Sequence, residues 1–255
     1  MNRINYVIFN YIIERIEFNK EEKGVEMRNL QESLTGLNEH YLEMLKHLSR
    51  MLEINIEAVK DGKVSPKLYG ECFVIEDVIN AFEVKVKEDS INCIARFQPA
   101  AKNLRALIMI IDGVRLIERM ADILKSNFKV MKEIELINPE INTRLEGAMY
   151  NYLMRIKSTF DSYIVSFSTS DEELLYTLVT ADEDINSETK VIVDKIAECI
   201  KRNPAETNEL LQVVSLVKKY ERFSDHIIHL VVDLVYILKG ENLRKKELLD
   251  EKKDI

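Results

Sequence analysis

One pattern occurs twice in this 255-residue chain and limits what it can fold into more than any other feature. In RFQPAAKNLRALIMIIDGVRLIERMAD, from Arg96 to Asp122, Pro99 interrupts the chain before an apolar helical stripe that carries Glu118 and Asp122. In NPAETNELLQVVSLVKKYERFSDH, from Asn203 to His226, Pro204 stands before a second such stripe, which carries Glu221 and Asp225. A period of roughly a hundred residues is too long for a solenoid unit and suits two copies of a small helical bundle.

The rest of the chain fits that duplication. Leu34, Leu37, Tyr41, Leu45, Leu48, Leu52, Ile56 and Val59 recur at three- and four-residue steps until Asp61 and Gly62 stop them, which predicts a long amphipathic helix with a glycine stop. A second helix follows Pro66 and ends before Gln98, because Pro99 disfavours helical geometry in its predecessor. The third starts with Asn103 as its expected N-cap and buries Leu104, Leu107, Ile108, Ile111, Val114 and Ile117. Pro139 opens a fourth helix through Leu145, Met149, Tyr152, Ile156 and Tyr163, a Ser/Asp cap near Ser170 opens the fifth, and the sixth runs from about Glu206 to Leu238 and stops at Gly240. No strand-like alternation is long enough to compete. The expected fold is all-α, two tandem pseudo-symmetric three-helix bundles over residues 27–135 and 136–240.

Two segments stand outside the repeat. In residues 1–26, Ile4, Ile8, Ile12 and Ile16 share one helical face, so an accessory amphipathic helix before the charged hinge NKEEKG is one reading. Residues 20–26 could equally be encoded by a purine-rich ribosome-binding sequence ahead of a start at Met27, which would make the leader a start-site artefact. The leader is neither a persuasive signal peptide nor a membrane span. The tail 241–255 is charged, with too little apolar surface for a core.

Glu118 and Asp122 are one turn apart on one helical face, a costly arrangement on a buried stripe unless cations or donors meet them. The preceding helix supplies a facing set, Glu76 and Asn80, which returns as Asp182 and Asn186 in the second half. Counted from the proline turns, each pair lies about as far from the turn as the carboxylates of the next helix. An antiparallel hairpin therefore brings four oxygen-bearing side chains to one level in each bundle. The candidate metal ligands are Glu76, Asn80, Glu118 and Asp122 in the first, and Asp182, Asn186, Glu221 and Asp225 in the second. Interhelical salt bridges with Arg96, Arg105, Arg119 or Arg222 are the competing use of these carboxylates. His226 and His229 are candidate ligands or structural histidines.

Charge and composition narrow the function classes. A formal charge of −8 and a pI near 5.3 supply no broad basic field for nucleic acid. Cys72, Cys93 and Cys199 are odd in number, widely spaced and without a CxxC, which reads as reduced core thiols in a cytoplasmic protein.

At these residues the chain resembles the PhoU family of phosphate-signalling regulators, whose double signature is a QP turn, a DLR-type helix start and an ERIGD-type motif. The first copy has Arg96, Gln98, Pro99, Leu104, Arg105, Glu118, Arg119 and Asp122, and the second has Asn203, Pro204, Glu221, Arg222, Asp225 and His226. The resemblance covers residues 27–240 and implies pseudo-twofold bundles with multinuclear metal clusters on paired E/DxxxD motifs, the ions being iron, manganese, zinc or magnesium. This sequence departs from the pattern at Asn80, Asn186 and Asn103, where the family has aspartate, and at Ala121 and Ser224, where it has glycine. Each asparagine removes a negative charge from a hard-cation site and weakens it.

The resemblance implies a non-catalytic adaptor. It would couple the ATPase subunit of a phosphate ABC transporter to a sensor histidine kinase, reach the membrane only through those partners, and negatively regulate phosphate uptake and the starvation response. A role beside a sodium–phosphate symporter is an alternative, and monomer and homodimer are both open. The competing enzymatic reading, a di-metal carboxylate oxidase, needs Glu-x-x-His on bundle helices, whereas Glu118 is followed three residues on by Ala121 and Glu221 by Ser224.

Overall fold

The computed structural model describes residues 24–137 and 139–240, with side chains over 28–135 and 147–240. The readings of residues 1–23 and of the tail 241–255 fall outside the described residues, as do the side chains of Pro139 and Leu145. Six α-helices make up the described chain: α1 (Gly24–Asp61), α2 (Pro66–Phe97), α3 (Ala101–Ile137), α4 (Pro139–Thr169), α5 (Glu172–Arg202) and α6 (Thr207–Lys239). A single 3₁₀ turn, Pro204–Glu206, precedes α6.

Each helix stops where its sequence supplies a stop. Gly62 takes φ +63° after α1, and Ser65 caps α2 by accepting from the Leu68 N–H at 3.2 Å, with Pro66 in the first turn. Gln98 turns left-handed at φ 43° and donates its N–H to Ile94, which ends α2 just before Pro99. Asp171 caps α5 from Leu174 at 3.0 Å, and Gly240, at φ 79°, closes α6. The expected cap at Asn103 is a correction. α3 already runs at Ala101, so Asn103 lies inside the first turn and is buried.

The helices fall into two three-helix bundles, α1–α3 and α4–α6, which also pack on each other. α3 and α6 run antiparallel along a shared seam. Arg105 donates to the Gly240 carbonyl at 3.2 Å near one end, while Lys219 donates to Ser126 at 2.9 Å and Asn127 to the Leu216 carbonyl at 3.4 Å toward the other. α1 and α4 also pair antiparallel, through the Tyr41 and Tyr163 hydroxyls at 3.2 Å and Lys157 with Glu53 at 3.2 Å. The core is continuous across both bundles, with Met44, Leu45, Leu48, Met51 and Leu52 of α1 fully enclosed and Phe160 of α4 edge-on to Phe223 of α6. Truncating one of these leucines to alanine costs about 2–5 kcal/mol.

One polar contact between the bundles and one close approach within the first fix how the helices fit. Tyr220 of α6 donates to Asn55 of α1 at 2.7 Å, and Asn55 in turn donates to the Met51 carbonyl. Tyr41 lies so close to α3 that a Cβ at Gly113 would stand 2.7 Å from its hydroxyl, so only glycine admits the ring there. Cys72 and Cys93 are buried free thiols, and Cys199 is partly buried.

Candidate functional site

In the first bundle the α2–α3 hairpin does what the spacing predicts. Glu76 is only 4% exposed, and its Oε1 accepts from Asn80 Nδ2 at 3.0 Å, one turn along α2. From α3, Asp122 stands close enough to Glu76 for the two carboxyls to act on each other, and the field of Glu76 reaches Glu118. The sequence reasoning missed Lys125, whose Nζ donates to Glu76 Oε2 at 2.5 Å and lies 5.0 Å from the centre of the Phe73 ring. Glu83 of α2 also adds to the field on Glu118. Lys125 was detectable, because it follows Asp122 by three residues and Glu118 by seven and so shares their face.

The titration directions describe a crowded carboxylate layer in which Lys125 bonds directly to Glu76 while Lys129 acts on Asp122 and Arg119 on Glu118. Burial alone would raise the Glu76 carboxyl, but hydrogen bonds from Lys125 and Asn80 hold it below the usual range. Burial, then the charges of Asp122 and Glu83, push Glu118 up, while burial and Glu76 push Asp122 up. Burial works against the Lys125 ammonium, yet its bond to Glu76 keeps it above the ordinary lysine range. Glu118 is half-buried and Asp122 stands at the exposed rim, so these two lie at the edge of the stripe rather than within it. Leu104 and Ile111, on the same face, are likewise only partly buried, and Ile108 is 46% exposed.

In the second bundle Asp182 is fully buried and both of its oxygens accept hydrogen bonds. Ser224 of α6 donates to Oδ1 at 2.8 Å, and Asn186 donates to Oδ2 at 3.2 Å. Glu221 pairs with Lys218 on its own helix at 2.8 Å. Asp225 is half-buried, and its charge, with those of Glu221 and Glu188, adds to burial in raising the Tyr152 phenol. Tyr152 is itself enclosed and bonded to Thr189 at 2.8 Å. The His226 and His229 rings are 6.1 Å apart, and burial with the fields of His229, Arg222 and Arg119 pushes His226 down to about 4.

Comparison with known proteins decides the family. The PhoU domain pattern matches residues 41–130 in the first bundle and 152–233 in the second. The chain belongs to the PhoU family. It is 22% identical over 181 residues to the phosphate-specific transport system accessory protein PhoU homolog of Pseudomonas aeruginosa, covering 71% of this chain and 74% of that one. It is 25% identical over 216 residues to PhoU homolog 1 of Thermotoga maritima, covering 81% and 91%. The crystal structure of PhoU from P. aeruginosa superposes with a TM-score of 0.75 at 20% identity, over 82% of this chain and 98% of that one.

Protein donors engage the most buried carboxylate of each paired motif. The most buried carboxylate of the first bundle has one oxygen on Lys125 and the other on Asn80, and Asp182 of the second has both oxygens engaged by protein donors. Among the described residues no group of three His, Cys, Asp or Glu side chains is disposed to hold an ion. Among the described residues Asn80 Oδ1 is buried without a hydrogen-bond partner.

Proposed function

We propose that this chain is a non-catalytic adaptor that couples the ATPase subunit of a phosphate ABC transporter to a sensor histidine kinase and so restrains phosphate uptake and the starvation response. The general role, regulation within phosphate signalling, goes with PhoU membership, and the match of that domain in both bundles carries the reading. The link to phosphate transport is supported by the Pseudomonas and Thermotoga relatives, which are named as accessory proteins of phosphate-specific transport, and the kinase partner is what the resemblance to the PhoU family implies. No described helix is long and apolar enough to cross a membrane, which agrees with contact to the transporter through its ATPase subunit.

Deletion in the native host is the direct test. The expected result is derepression of phosphate-scavenging genes in phosphate-replete medium. Unchanged expression with a normal response to starvation would remove the adaptor reading. In-cell crosslinking followed by mass spectrometry identifies the partner, with the ATPase subunit and the kinase expected, and a sodium–phosphate symporter as the outcome that would redirect it.

A further inference from the structure

A cleft of about 310 Å³ opens between α1 and α2, and none of the residues lining it belongs to the carboxylate layers or to the second bundle. At one end Lys85 Nζ stands 3.2 Å from Nε2 of His40, a lining residue. An ammonium only donates, so Nε2 accepts and the ring N–H sits on Nδ1, which is buried with no hydrogen-bond partner among the described residues. At the other end the Arg96 guanidinium lies 5.2 Å from the centre of the Phe97 ring. Between them Leu37 and Cys93, each 3% exposed, form an apolar floor. Gly36 deepens it, because a Cβ there would meet nothing within 4 Å, whereas one at Gly113 would strike Tyr41. Glycine inside a helix is unfavourable relative to alanine. At Gly36 no close packing requires it, and what the missing side chain leaves is room in the cleft.

Two charges on the α2 wall are left for an occupant. Asp89 and Arg96 both line the cleft from one face of α2, seven positions apart, and neither forms an ion pair among the described residues. Glu32, on the opposite wall, is taken by Arg28 at 3.2 Å, and Lys85, four residues before Asp89, is turned to His40. Along its length the cleft therefore offers an N–H donor, a carboxylate, an apolar floor and a guanidinium. Its size is at the bottom of the range for small-ligand pockets, and charged walls suit the side chains of a docked segment better than a compact apolar ligand.

We propose that this cleft docks a helix of a partner protein that carries one basic and one acidic side chain about two turns apart, set on Asp89 and Arg96 respectively. A small apolar residue between them lies over Gly36, against Leu37 and Cys93. An oxygen acceptor beyond the basic residue meets the His40 Nδ1–H. The order of the charges selects the partner, because a helix laid the other way round puts like charges together at both ends. The assignment rests on the adaptor reading and adds to it the surface that holds the partner.

The test complements a deletion strain with the full chain and reads phosphate-scavenging expression in phosphate-replete medium. Asp89→Lys, Arg96→Glu and Gly36→Phe should each weaken docking about tenfold and lose most of the repression, with melting temperatures that stay at the parent's. Asp89→Lys and Arg96→Glu together keep the net charge but reverse its order, so the double variant should repress no better than either single one. Glu198→Lys, exposed on α5, should repress like the parent. A photo-crosslinking residue at Asn92, which lines the cleft, should capture a peptide of the ATPase subunit or the kinase that holds both a basic and an acidic residue. Capture of residues 1–23 of the same chain, or of a second copy, would overturn the proposal, as would cleft variants that repress like the parent. In that last case deletion still derepresses, so the adaptor reading stands without the cleft; a deletion without effect removes both.

Discussion

The two bundles solve one problem in different ways. Each places a carboxylate from its middle helix against the third helix, where water is largely excluded. In the first bundle Glu76 is met by the Lys125 ammonium, while in the second Asp182 is met by the Ser224 hydroxyl and the Asn186 amide. The residue of α6 that matches Lys125 is Ile228, and the residue of α3 that matches Ser224 is Ala121. A single exchange on each side has therefore turned a pseudo-symmetric pair into a charge-balanced site and a hydrogen-bonded one. Duplication fixes the position of a buried charge, and the residue one turn away determines how it is satisfied.

The comparison is broken most severely at Lys125. Lys125→Met leaves Glu76 beside Asp122 and Glu118 without its own ammonium partner and should cost about 3 kcal/mol, measured by urea unfolding at pH 7. Metal should then compensate, with manganese raising the melting temperature of this variant more than that of the parent. A variant as stable as the parent would show that the ion pair contributes nothing.

Ser224→Ala tests the other side. It leaves Asp182 Oδ1 without its hydroxyl donor in a fully buried setting, for an expected loss of about 2 kcal/mol. Metal should not restore this one, because α6 supplies no vacated cation position. A cost equal to that of an exposed Ser→Ala change would mean that water replaces the hydroxyl.

Asn80→Asp and Asn186→Asp sharpen the contrast. Without metal each replaces a donor by a like charge and should destabilise by about 1–2 kcal/mol. With iron or manganese present, Asn80→Asp should gain a concentration-dependent rise in melting temperature, largest when combined with Lys125→Met. A melting temperature indifferent to metal in every variant would leave two structural polar layers and remove metal binding from this protein.

The smallest effect lies between the bundles. Burial, and then Asp112, raise the Asp233 carboxyl to about 6, above its ordinary value of 3.8. A carboxyl raised in the folded state binds its proton more tightly there, so its contribution is fully present below the ordinary value and is lost as pH rises from about 4 through about 6. Asp233→Asn should remove that slope and stabilise the protein at pH 7 by about 1 kcal/mol, after allowance for solvent screening. Parallel pH–stability curves for parent and variant would show that Asp233 titrates normally.

Much of this was legible in the sequence because backbone rules produced it. Pro99, Pro204, Gly62 and Gly240 stop helices for local reasons, and once the stops are known, counting back along an antiparallel hairpin brings Glu76 to Asp122. What stayed hidden depends on where a side chain points. Lysine can reach water or fold inward from the same Cα, so sharing a face with Asp122 left open whether Lys125 turns to Glu76. Ser224 and Thr189 look like ordinary helix-surface residues until the neighbouring helix supplies Asp182 and Tyr152. Interhelical salt bridges with Arg119 and Arg222 were the competing use of the carboxylates, yet among the described residues neither arginine forms an ion pair and Glu76 is met by Lys125 instead.

The α3–α6 seam also has a consequence for how the chain reaches this state. Arg105 and Gly240, which meet at one end of it, are separated by 135 positions, whereas each hairpin joins neighbours in sequence. Short closures are entropically cheaper than long ones, so the hairpins should assemble early and the seam last. During synthesis the first three helices leave the ribosome well before Thr207, and until α6 follows them the seam side of α3 has no cover. The order of synthesis thus exposes that surface for a definite interval, and a chaperone that protects nascent chains would find it there.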